Sequence, residues 1–188
     1  MKSATLSYTR TDVEPGLKKV ILFEIAFPMI LLVLGITTGF LQVLYRSGII
    51  RAKSFLGIEY YQGLTLHGTI NAIVFTTFFA VAFGHAVIRF YTGQPLLEGA
   101  AWLSLILMTG GTIMAAVPML TGSASGLYTF YPPLKAHPAF YFGLVFVVVG
   151  SWVAFFSWIP VYQRWKGLNA GRKMPSVAIA APDAPPRT

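Results

Sequence analysis

The sequence predicts an all-α integral membrane protein with four transmembrane helices and both termini on the cytoplasmic side. Its 188 residues are 55% apolar and only 11% charged, and the mean hydropathy is +0.66. That composition is typical of membrane proteins and not of a soluble domain with one buried core. The sequence also holds four separate apolar stretches, each long enough to cross a hydrocarbon core of roughly 30 Å.

The predicted elements follow one another in a simple order. A polar N-terminal arm precedes the transmembrane domain, and a Pro- and Ala-rich segment without hydrophobic periodicity follows it and is predicted to be disordered. The expected boundaries are 1–17 for the arm, 18–168 for the domain, about 20–45, 61–90, 96–120 and 138–162 for its four spans, and 169–188 for the tail.

The distribution of positive charge predicts the orientation. The formal charge of +8 is carried by short loops and tails, which indicates membrane topology and not nucleic-acid binding. Ten Lys and Arg residues lie on the side of the two termini, and four lie on the opposite side. The richer side is expected to be cytoplasmic. His67, six residues or roughly 9 Å into the second span from Tyr61, is then expected towards the outer face.

Small and charged residues suggest how the spans pack. Gly35 and Gly39 in the first span form a small-xxx-small pattern, and the third span is rich in Gly and Ala, so both are expected to approach a neighbouring helix closely. Glu24 lies near the start of the first span. Its side chain is expected to reach back to the level of Lys18 and Lys19, and the alternative is a carboxylate on a proton path.

The absence of cysteine from the sequence excludes disulfides, thiolate metal sites, iron–sulfur clusters and covalent c-type haem attachment. The sequence also lacks a Gly-rich phosphate loop, a Ser/His/Asp set and a carboxylate pair, so no catalytic residues are predicted. His67, His85 and His137 remain as possible ligands of a metal or a haem.

His67 is the leading candidate of the three. An imidazole within a bilayer must satisfy both ring nitrogens or incur an energetic cost for each unmet group. A haem iron satisfies one nitrogen while the other donates to an oxygen. Gly63 and Gly68 flank His67 and are expected to leave room for a flat macrocycle, and Asn71 lies one turn further on the same face. A buried histidine that bonds a neighbouring helix fits the spacing equally well.

The other two histidines have simpler explanations. His85 comes five turns after His67, roughly 27 Å away, and is expected to be a solvated interfacial residue beside Arg89. The alternative is a second haem ligand on the same face. His137 is expected to be a solvated residue in the cap region of the fourth span, although it could in principle face His67 and share one haem.

Two blocks of sequence carry a resemblance to a known family. Residues 60–68 are Tyr-Tyr-Gln-Gly-Leu-Thr-Leu-His-Gly, followed at 71–76 by Asn-Ala-Ile-Val-Phe-Thr. Residues 127–135 are Leu-Tyr-Thr-Phe-Tyr-Pro-Pro-Leu-Lys. In this order, and separated by one span, they resemble the second helix and the loop into the fourth helix of subunit I of B-type haem–copper terminal oxidases. The resemblance covers about residues 17–173.

The resemblance implies a function within a respiratory complex. The bundle would match the first four helices of that subunit, and His67 would be one of two axial ligands of the low-spin haem b, with Tyr131 as a further haem neighbour. The complex would oxidise cytochrome c, reduce oxygen and pump protons in the plasma membrane of a prokaryote. Subunit II and cytochrome c would be partners.

Several parts of the family pattern have no counterpart in this sequence. The second haem b ligand, the high-spin haem ligand and the copper-site histidines belong to later helices in the family. We therefore expect a split subunit, a truncated product or a reduced paralogue, with a companion chain that carries those helices. Two alternatives remain: a small membrane b-type cytochrome or haem-handling protein, and a structural or assembly subunit of an oxidase. The resemblance does not separate an oxidase from a nitric oxide reductase.

Overall fold

The computed structural model describes residues 13–51, 54–55 and 57–170. The four predicted spans are confirmed as four helical spans, each long and apolar enough to cross a membrane. In chain order the elements are α1 (Pro15–Arg46), β1 (Ser54–Phe55), β2 (Ile58–Glu59), α2 (Tyr60–Gly68), a π-helix (Thr69–Phe75), α3 (Thr76–Thr92), α4 (Glu98–Leu120) and α5 (Pro138–Leu168). The second span comprises α2, the π-helix and α3 without a break.

Two of the spans extend five or more residues beyond the bounds that the apolar pattern predicts. α1 begins at Pro15, inside the predicted arm, because proline is favoured at the first helical position and Leu17 is already buried in the bundle. α5 continues to Leu168, six residues beyond the predicted end of the fourth span. Residues 1–12 of the predicted arm and residues 171–188 of the predicted tail lie outside the described residues.

The described residues form two apolar clusters, one at each end of the bundle. The first lies at the end where α1 begins and α3 ends, and it includes Leu17, Phe78 and Met108. The second lies at the opposite end and includes Leu66 and Phe140. We refer to these as the N-terminal end and the loop end of the bundle. His67 belongs to the loop end, since it directly follows Leu66.

Helices α4 and α5 pack closely through small residues. A Cβ added to Gly111 would lie 2.5 Å from the carbonyl oxygen of Gly143, and the reverse is also true. Nearby, the hydroxyl of Ser104 donates to the carbonyl of Gly150 at 2.8 Å. The close packing predicted for the Gly- and Ala-rich third span is therefore present, and it is made with α5.

The loop between α4 and α5 is held against the helix ends. An isolated β-bridge joins Ala124 to Ala136, and the backbone amide of Leu127 donates to the hydroxyl of Thr65 at 3.1 Å. The Tyr128 ring packs on Gly68. This loop therefore covers the end of α2 that carries His67.

Candidate functional site

His67 lies at the junction of two kinds of helix. It occupies the last turn of α2, and the seven-residue π-helix Thr69–Phe75 begins two residues later. A π-helical segment changes the direction of the following side chains and often occurs at functional sites. The sequence did not predict it, and residues 69–75 contain no Gly or Pro that would have marked an irregular helix.

The orientation of the His67 ring is set by α1. The ring Nδ1 lies 2.7 Å from the carbonyl oxygen of Gly35. A carbonyl can only accept, so Nδ1 carries the hydrogen and donates it. The second ring nitrogen, Nε2, is then unprotonated in the neutral imidazole and presents a lone pair. The ring itself is half-buried.

Two glycines of α1 make this contact possible. A Cβ on Gly39 would overlap the His67 ring, and a Cβ on Gly35 would lie 3.0 Å from Ile70 and overlap the side chain of Asn71. The small-xxx-small pattern of the first span is thus where α1 and the second span approach. The sequence predicted close approach, but not that the histidine occupies the space.

Asn71 lies on the same face as His67, as the four-residue spacing predicts. Its Nδ2 lies 3.0 Å from His67 Nδ1, while its Oδ1 is buried without a hydrogen-bond partner among the described residues. Since Nδ1 is a donor, a 180° rotation of the amide would place the acceptor Oδ1 beside it. In that orientation Nδ1–H is shared between the Gly35 carbonyl and Asn71.

Gly63, Gly68 and Tyr131 are the three other residues predicted to lie near a haem. The space beside Gly63 is filled by Gln42, and the space beside Gly68 by Tyr128. These glycines therefore do not leave the room that was expected for a macrocycle, because helix and loop side chains pack at both positions. Tyr131 lies in the loop before α5 and is 65% exposed. A haem-neighbour role for all three stays a prediction.

His137 is the N-cap of α5, as expected. It is exposed, and its Nδ1 accepts from the backbone amide of Ala139 at 3.2 Å. A capping side chain of this kind satisfies one of the free amides at the start of a helix. The interpretation of His137 as a cap-region residue is confirmed.

The expectations for His85 and Glu24 are wrong. Both side chains are fully buried, and His85 Nδ1 lies 3.1 Å from Glu24 Oε2. Because α1 begins at Pro15, Glu24 lies nine residues, roughly 13 Å, inside the helix, and its carboxylate contacts His85 instead of reaching back to Lys18 and Lys19. Arg89, the expected interfacial neighbour of His85, is also a buried residue of α3, and it bonds Glu14 at 3.0 Å. The hydropathy pattern gave depth along each span, but not which face points inward.

Within the described residues, no group of three or more His, Cys, Asp or Glu side chains is arranged to hold a metal ion. Among the histidines of the described residues, His67 alone is half-buried. Its Nδ1–H is donated to the Gly35 carbonyl, which leaves Nε2 with a lone pair that can bind a metal. A single imidazole of this kind can supply one coordination bond to a metal centre whose other ligands come from elsewhere.

Comparison with known proteins gives concordant matches. The family model of cytochrome c and quinol oxidase polypeptide I matches residues 19–181. Cytochrome c oxidase subunit 1 of Thermus thermophilus is 44% identical over 124 residues, which are 65% of this chain and 22% of that protein. A solved cryo-EM structure of a heme-copper terminal oxidase dimer is 55% identical with a TM-score of 0.83, and the match covers 87% of this chain and 28% of the solved one. The chain thus spans about a quarter of the length of these relatives.

Proposed function

Since this chain belongs to the cytochrome c and quinol oxidase polypeptide I family, we propose that it contributes His67 as one axial ligand of the low-spin haem b in a respiratory haem–copper oxidase. The assembled complex would oxidise cytochrome c, reduce oxygen and pump protons in a prokaryotic plasma membrane. The four helices supply one ligand and are not catalytic alone.

The observation that carries this proposal is the hydrogen bond between His67 and Gly35. Histidines that bind metals nearly always donate their other ring N–H to a carbonyl or carboxylate, which fixes the ring and raises its basicity. The Nδ1–O distance of 2.7 Å supplies that bond, so Nε2 is the ligand atom. The residues therefore fit an axial haem ligand.

When bound, a bis-histidine haem supplies a one-electron centre whose potential is set by its ligands and their hydrogen bonds. The residues of this chain orient the ligand. The Gly35 carbonyl fixes the tautomer, Asn71 supplies a second polar contact to Nδ1, and Gly39 keeps the position beside the ring free of a side chain.

The partner that completes the site would pack on the side of α1 that this bundle leaves uncovered. Val33, Ile36, Phe40 and Val43 are each more than half exposed in the same part of α1 as Gly35 and Gly39. We propose that a companion chain or segment carrying the remaining oxidase helices covers part of this surface and brings the second axial ligand. The copper ion and the high-spin haem would be held by that partner.

The test is the optical spectrum of the low-spin haem in the purified complex. His67→Ala should abolish the low-spin haem b signal, while the companion chain still co-purifies. His137→Ala is the matched control, because His137 is an exposed cap residue, and it should leave the spectrum unchanged. A low-spin bis-histidine haem b that survives in His67→Ala would refute the assignment.

A further inference from the structure

A second set of ionisable side chains lies away from His67, at the N-terminal end of the bundle. Glu24 of α1 and His85 of α3 are both completely buried, and Glu24 Oε2 lies 3.1 Å from His85 Nδ1. Ionisable residues at such depth in a membrane-spanning bundle are costly and are retained mainly where they bind or move charge. The proposed role of His67 does not use either of them.

Each member of the pair has one further atom that can bind a proton. Glu24 Oε1 and His85 Nε2 are buried and have no hydrogen-bond partner among the residues that the structure describes. A purely structural pair would be expected to satisfy all its polar atoms, since an unmet buried group is destabilising. We infer that Glu24 and His85 form a proton-binding site that takes up and releases one proton inside the bundle.

The protonation states follow from the geometry. In the unloaded state the Glu24 carboxylate accepts from Nδ1–H of a neutral His85, and the pair carries one negative charge. One proton from water then binds at His85 Nε2 or Glu24 Oε1. The loaded pair has no net charge. In the unloaded state and in the loaded state alike, one proton lies between Glu24 Oε2 and His85 Nδ1. Burying a pair without net charge costs less free energy than burying a single charge. The pair therefore favours uptake of the proton and needs no counter-ion.

Among the residues that the structure describes, few charged groups lie near the pair. On α3, Arg89 lies one turn from His85 towards the end of the helix and bonds Glu14, which precedes α1. On α1, Lys18 and Lys19 are exposed. α4 contributes Glu98, packed beside Gly16 at the start of α1. α5 has no ionisable residue between its N-cap and Arg164 other than tyrosine.

The Glu14–Arg89 ion pair indicates the direction from which protons reach Glu24 and His85. The Glu14 side chain is 21% exposed and that of Arg89 is 3% exposed, so this ion pair joins the surface to the interior. It lies between the N-terminal end of the bundle and the Glu24–His85 pair. On the α5 side, Trp158 covers the imidazole, with a distance of 5.5 Å between ring centroids. Protons would therefore enter from the side on which α1 begins.

Infrared difference spectroscopy between about pH 5 and 8, the range in which an unperturbed histidine changes charge, tests this inference. It is applied to the full chain purified with the subunits that accompany it, in ordinary and heavy water. The wild type should show coupled carboxyl and imidazole bands that follow a one-proton transition. Glu24→Gln should remove the carboxyl bands. His85→Asn, which keeps a hydrogen bond to Glu24 without a titrating ring, should remove the imidazole bands and the transition.

Glu98→Gln is the control for a carboxylate at the same end of the bundle, and it should leave these bands intact. A wild-type spectrum without pH-dependent bands from Glu24 and His85 would overturn the inference, even if the variants failed to fold. Bands that persist unchanged in His85→Asn would overturn it as well. Neither result bears on haem binding by His67, because the measurement detects the carboxyl and imidazole groups directly.

Discussion

The Nδ1 atom of His67 donates to the carbonyl oxygen of Gly35 across 2.7 Å, which joins the second span to the first. The bond exists because Gly35 and Gly39 lack side chains where the two helices meet. It fixes the imidazole tautomer and leaves Nε2 available. The orientation of the proposed haem ligand therefore depends on two residues of α1.

The contact between Gly39 and the His67 ring gives the first prediction. Gly39→Val should displace the ring, because even a Cβ at this position would overlap it. We expect the low-spin haem b signal to be lost or shifted, measured in the purified complex. Gly110→Val is the control on α4, where no atom lies within 4 Å of an added Cβ. Equal spectra for both variants would contradict the assigned role of Gly39.

Asn71 gives the second prediction. Asn71→Ala removes a polar contact to Nδ1, and loss of such a supporting contact commonly weakens metal affinity by about 10- to 100-fold. We expect faster transfer of haem b from the complex to an acceptor apoprotein, followed by absorbance. Thr76→Ala is the matched control, since Thr76 is exposed and its hydroxyl bonds only backbone carbonyls of its own span, those of Ala72 and Ile73. Its transfer rate should match that of the wild type.

The Glu14–Arg89 ion pair gives the third prediction. Glu14→Leu leaves Arg89 buried without this carboxylate, whereas Arg89→Met leaves Glu14 in partial contact with water. We expect Glu14→Leu to lower the free energy of unfolding by about 3 kcal/mol, the lower end of the cost of breaking a buried ion pair because Glu14 is partly exposed, and Arg89→Met to lower it by less. Denaturant unfolding in detergent measures both. In the double variant the two effects should be less than additive, and full additivity would show that the pair is not coupled.

The packing of α4 on α5 gives the fourth prediction. A Cβ on Gly143 would lie 2.6 Å from the backbone nitrogen of Ala115, where no flexible side chain can move away. Gly143→Ala should therefore lower the thermal unfolding midpoint, at a cost of about 1–3 kcal/mol. Gly99→Ala, with open space around it, should instead be neutral or slightly stabilising, because alanine favours helix over glycine. A stable Gly143→Ala variant would mean that the helices separate easily.

The site was only partly predictable from the sequence. His67 was identified by its depth in an apolar span and by the block of residues around it, and Asn71 by its helical spacing. The positions beside Gly63 and Gly68 were misjudged, because the residues that fill them, Gln42 and Tyr128, are distant in sequence. The Glu24–His85 pair was missed for the same reason, since its members are 61 residues apart.

The sequence by itself determined the fold class and the four spans, and it singled out His67 as a candidate ligand. The fold class and the spans follow from hydropathy and local spacing, which are read along one dimension. Only the tertiary structure decided which carbonyl His67 bonds, where the π-helix lies and that Glu24 meets His85. Each of these depends on how the helices are rotated about their axes, and that rotation is set by the packing of small residues such as Gly35 and Gly39 against neighbouring helices.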